Sequence, residues 1–134
     1  MPLAVLRASG AAFDARAFAT AHQLPCDAVW AAGGLNPVGV RHPESGFNIG
    51  IAEAERTGDV LAAVQSWLAE NRPLLSALAT AGGRACIDVA LTVGTTRPTR
   101  SLRVEPELLS LLAELNVSLE ASAYHSVDQG EDAV

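Results

Sequence analysis

The clearest pattern in the chain has a period of two: Ala85, Ile87, Val89, Leu91 and Val93 alternate with Cys86, Asp88, Ala90 and Thr92. Such alternation belongs to a strand with one face buried and the other wet. Phe47, Ile49 and Ile51 alternate in the same way with Asn48 and Gly50, and Val117, Leu119, Ala121 and Ala123 with Ser118, Glu120, Ser122 and Tyr124. A first strand is expected over residues 3–8, and Ser101-Leu102-Arg103-Val104 reads as a short return strand. Between these segments the spacing becomes helical. Behind Phe13 and a capping Asp14, the residues Ala17, Phe18, Ala21 and Leu24 line a short helix that Pro25 ends. The longest helix is predicted to start at a capping Asp59 and to turn Val60, Leu61, Val64, Trp67 and Leu68 inward. Pro73 restarts it as a second segment with Leu74, Leu75 and Leu78, closed by Gly82-Gly83. Pro106 opens a last helix bearing Leu108, Leu109, Leu111, Leu112 and Leu115, with Asn116 in the left-handed position at its end.

Strands that are apolar on one side only cannot be covered by helices on both sides. The pattern therefore predicts an α+β fold, a two-layer sandwich with a mixed sheet of about five strands and its helices on one face. That order of elements accommodates a ferredoxin-like βαββαβ core. Residues 1–127 are expected to make one domain, and the acidic residues 128–134 a disordered tail. The hydrophilic sheet face is then open to plain solvent, to a homodimer or protein partner, or to a small molecule.

Composition narrows the classes. In 134 residues, 49% are hydrophobic and 18% charged, which excludes a disordered chain. No apolar run reaches the roughly 18 residues of a membrane span. The start, Met1-Pro2-Leu3-Ala4-Val5-Leu6-Arg7, lacks the basic and apolar regions of a secretory signal, so a cytoplasmic location and no membrane partner are expected. A net charge of −6 with 4% aromatic residues supplies neither the basic face nor the stacking platform that nucleic acid requires. Cys26 and Cys86 stand alone and read as free thiols.

Candidate chemistry is sparse. On neighbouring strands, Asp88 and Glu120 would bring two carboxylates together, the arrangement acid–base catalysis uses; the plainer reading is two solvated acids. Arg97, Arg100 and Arg103 recur every third residue around Pro98, where they would converge on an anion or stay solvated at a loop tip. Residues 34–41 have the glycine spacing of a phosphate loop without its Lys-Ser/Thr ending or following helix. His22 and Cys26 are separated by Pro25 from the helical geometry that would align them on a metal, and His125-Ser126-Val127-Asp128 is too local for a triad. Residues 30–45 form a long loop that is rich in turn formers yet carries Trp30, Leu35, Val38 and Val40. Loops of that kind are functional or packed beneath something.

The stretch from Ser101-Leu102-Arg103-Val104 through Pro106-Glu107-Leu108-Leu109 to Leu119-Glu120-Ala121-Ser122-Ala123-Tyr124 resembles the end of the bacterial family known as domain of unknown function 4279. Leu6-Arg7-Ala8-Ser9-Gly10, Trp30 with Gly33, and the strand led by Phe47 extend the resemblance over residues 3–125. Glu105 stands where that family tends to have a serine cap, and Phe47 where tryptophan is common. The resemblance implies an architecture rather than a reaction, and among its relatives small partner-binding or immunity-type proteins. Taken together, the expectation is a non-enzymatic protein-binding or regulatory module, homodimeric, without cofactor or metal. Its binding residues would be drawn from Trp30, Asp88, Arg97, Arg100, Glu120 and Tyr124. The alternative is a small enzyme or ligand-binding protein using Asp88, Glu120 and Tyr124.

Overall fold

The computed structural model describes residues 3–125, so the acidic tail and the residues Ser126 to Asp128 lie outside the described residues. Its elements run β1 (Leu3–Gly10), α1 (Ala15–Ala21), β2 (Ala28–Trp30), β3 (Ser45–Glu53), α2 (Thr57–Glu70), α3 (Arg72–Thr80), β4 (Arg84–Val93), α4 (Pro106–Leu115) and β5 (Val117–His125). One five-stranded sheet holds them in the order β2-β3-β1-β4-β5. The first four strands pair antiparallel, and β5 lies parallel to β4. The run β1-α1-β2-β3-α2/α3-β4 is thus a ferredoxin-like βαββαβ core, to which α4 adds the crossover a parallel strand needs.

One face of the sheet carries the core. Ala4, Leu6 and Ala8 of β1 stand in register with Phe47 and Ile49 on β3 and with Ile87 and Val89 on β4, and all are buried. Against them lie Phe18 of α1, Val60, Leu61, Val64 and Leu68 of α2, Leu75 and Leu78 of α3, and Leu108, Leu111 and Leu112 of α4. Phe13, Phe18 and Phe47 close one end of this core, with ring centroids 5.6 to 6.1 Å apart. The mixed sheet with helices on a single face is the architecture the alternation predicts.

Several details differ from the periodicity. The inward stripe of α1 is Ala15, Phe18 and Ala19, while Ala17 and Ala21 are exposed. Asp14 caps the helix by accepting from the Ala17 amide, and this fixes Ala15 as the first inward position. Helix α2 begins at Thr57 behind Arg56, so Asp59 sits in the first turn, where its charge suits the helix dipole, instead of capping. Residues 101–104 form no strand, because β5 takes the edge of β4 they would have needed; Leu102 and Val104 pack against the core instead. Leu109 of α4 is 52% exposed and does not join its helix's buried stripe. Asn116 does take the left-handed conformation, at φ 57° and ψ 45°.

Gly46 is a tight spot: a Cβ there would come within 2.6 Å of both the Ala8 carbonyl oxygen and the Trp30 ring. Gly46→Ala is expected to lower stability by about 1–3 kcal/mol through overpacking against backbone that cannot yield. Urea unfolding would read this as a lower midpoint, and an unchanged midpoint would show that the sheet edge gives way freely.

Candidate functional site

Among the described residues no helix lies over the opposite sheet face, and its polar residues are brought into rows by the strand register. Asn48, Arg7, Cys86 and Ser118 form one row, and Gly50, Val5, Asp88 and Glu120 the next. The structure therefore does place Asp88 beside Glu120. It does not leave both solvated: Asp88 is 3% exposed, whereas Glu120 is open to solvent. Asp88 is short and lies on an inner strand. Its Oδ2 pairs with Arg7 Nη2 at 3.1 Å, and its Oδ1 accepts from Ser122 Oγ at 2.9 Å. With both oxygens engaged, Asp88 serves as the fixed acceptor at the centre of the face.

Arg7, Ser9, Arg84, Cys86, Ser118 and Glu120 line a shallow, open depression of about 540 Å³ beside this network. Each of its arginines already has an acidic partner, Arg7 in Asp88 and Arg84 in Glu44. Burial pushes the Cys86 thiol above its ordinary pKa, the charges of Glu120 and Asp88 push it further, and Arg7 opposes them. A thiol held protonated is a poor nucleophile. Cys26 is raised too, by burial and then by Asp27.

The arginine cluster does not converge. Arg100 donates from Nε to the Thr92 carbonyl at 2.6 Å, and Arg103 pairs with Glu105 at 2.9 Å. Tyr124, opposite Thr92 on β5, is 55% exposed. His22 packs against Phe18 with ring centroids 4.3 Å apart and planes tilted by 33°, and among the described residues no group of three or more metal-ligating side chains gathers.

The second feature is the connection between β2 and β3. Residues 31–44 continue the two strands as a hydrogen-bonded arm, with reciprocal backbone bonds joining Gly33 and Gly34 to His42 and a bridge pairing Leu35 with Arg41. Asn36-Pro37-Val38-Gly39 has the residue preferences of a type I turn, and Gly39 supplies a φ of 84°. The Asn36 side chain accepts from the amides of Val38 and Val40, locking the tip from within. Trp30 anchors the base: its ring lies over Gly46, stacks on His42 with centroids 4.9 Å apart, and donates from Nε1 to the Glu44 carbonyl. Trp30 is half-buried and acts as a hinge pin for the arm. The apolar residues Leu35, Val38 and Val40 are 63%, 81% and 59% exposed. Sequence reasoning singled out this segment but placed its weight on Trp30; the signal for the tip was the Asn-Pro-Val-Gly turn between Leu35 and Val40.

Fold and site together define a small α+β protein with one bare sheet face and one projecting apolar arm. No family model, curated protein or solved structure matches the chain. Among the described residues no helix is long and apolar enough to cross a membrane.

Two outcomes check the open-face electrostatics. Arg7→Gln leaves the buried Asp88 carboxylate with one partner and is expected to cost about 1–2 kcal/mol, discounted because Arg7 is half-exposed. In alkylation followed site by site with mass spectrometry, Glu120→Gln should shift the pH–rate profile of Cys86 downward, since a raising charge is removed. Arg7→Gln should shift it upward. An identical Cys86 profile in all three proteins would show that these charges do not reach the thiol.

Proposed function

We propose that the protein is a non-enzymatic binding module, homodimeric, that engages a partner protein through the tip of the β2–β3 arm. The observation that carries this reading is the exposure of Leu35, Val38 and Val40 on an arm whose backbone is already ordered by its own hydrogen bonds. An ordered loop loses little conformational entropy on binding, so most of the gain from burying apolar surface is kept. Burying the three side chains would contribute roughly 3–6 kcal/mol, a useful anchor for a standard interface. The resemblance to domain of unknown function 4279 is in keeping with this, because it implies an architecture rather than a reaction and counts small partner-binding or immunity-type proteins among its relatives. The open face supports the same conclusion from the other side: its central carboxylate is committed to structure, and its thiol is held protonated.

The test is capture of a partner from the native host by the full chain and by Val38→Asp. The variant should unfold at the same temperature as the wild type and retain the partner about tenfold to a hundredfold less well. Equal retention by both proteins would remove the arm from the binding surface.

A further inference from the structure

We infer that a second copy of this chain pairs with the free edge of β5, antiparallel and about a two-fold axis at Ala121, to give one continuous sheet across a homodimer. This deepens the dimeric part of the proposed function by naming the edge and the register.

The two edges of the sheet are built differently. At one, β2 has three residues, and beyond them the Asp27 carboxylate accepts from the Gly50 amide, capping an edge donor of β3 that β2 does not reach. Short strands and polar covers are how sheets protect an edge. At the other, β5 runs nine residues in unbroken register with β4, from Ala85 opposite Val117 to Val93 opposite His125. No proline, glycine or bulge interrupts β5, its one acidic residue is Glu120, and among the described residues no strand lies beyond it. Every second residue of a parallel edge strand turns its amide and carbonyl outward, so β5 offers a ladder along its whole length.

The occupant follows from symmetry and charge. A two-fold axis perpendicular to the sheet keeps each face on its own side, so only registers that pair like-facing residues are allowed. Overlap of all nine residues sets Ala121 on the axis. Glu120 then stands opposite the second copy's Ser122, Ser118 opposite its Tyr124, and Leu119 opposite its Ala123. Slipping by one pair to set Glu120 on the axis would oppose the two carboxylates, which is unfavourable for directly facing like charges. The register of greatest overlap is therefore also free of that clash. On the helix side, Val117 is buried and Leu119 part-buried, but Ala121 and Ala123 are exposed. Their small side chains leave room for the same residues of a second copy.

The experiment compares the oligomeric state of the full chain by sedimentation velocity with three variants. The wild type is expected to be a dimer, and Ala121→Lys, at an exposed position that sets two ammonium groups on the axis, should weaken association at least about tenfold while its far-UV circular dichroism stays that of the wild type. In a Cys26→Ala, Cys86→Ala background, Ala121→Cys should form an inter-subunit disulfide under mild oxidation, because directly opposed Cβ atoms lie within disulfide reach; Ala123→Cys, displaced along the strand from its own copy, should not. A wild type that stays monomeric at all concentrations, or that binds a different protein along β5, overturns the inference and leaves the arm's role standing. A dimer indifferent to Ala121→Lys and unlinked by Ala121→Cys overturns the edge and register while the dimeric reading survives. Loss of partner by Val38→Asp with the dimer intact is the expected separation of the two surfaces.

Discussion

Leu6 sits in the middle of β1, between Ile49 on β3 and Ile87 on β4, and the burial of that row beneath the helices sets everything else. Because strand side chains alternate, fixing Leu6 inward sends Val5 and Arg7 to the other side, and the register carries the choice across the sheet. A slip by one residue would drive Arg7 and Asp88 under the helices. The cost of burying those charges without their partners also protects the register.

On the bare side, the same constraint makes a sheet face unlike an ordinary solvated one. Asp88, Arg7 and Ser122 come from three strands, so their mutual bonds tie β1, β4 and β5 together above the sheet as the core ties them below. A carboxylate so occupied supports architecture rather than turnover. What the described residues leave uncommitted lies at the margins: the apolar tip of the arm at one edge, and the outer backbone of β5 at the other. Both would suit recognition by shape and backbone under the proposed function, which needs no reactive group.

The fold was legible because its evidence is local. Period-two alternation in β3, β4 and β5, Asp14 as a cap, Pro106 at a helix start and Asn116 at a helix end are each written within a few residues. Less legible was what depends on who sits next to whom. The sequence could not show that β5 would claim the edge of β4 and leave residues 101–104 without a strand to join. Nor could it show that Asp88 would be walled in by Arg7 and Ser122, which lie 81 and 34 positions away in the chain. The arginine triplet failed for a related reason: regular spacing in a loop aligns nothing without a regular backbone, and Arg100 and Arg103 each found a separate nearby acceptor.

Adding β5 through α4 has a consequence for the order of events during synthesis. The first four strands already complete a ferredoxin-like sheet, and β4 forms its rim until the final crossover emerges. Nascent chains fold from their leading end, so while residues 94–125 are being translated the ladder of β4 is unsheltered. Its inward residues Ile87, Val89 and Leu91 are buried in the finished fold. Hazard of mispairing at β4 is thus concentrated before β5 is in place, and β5 acts as the seal of that rim.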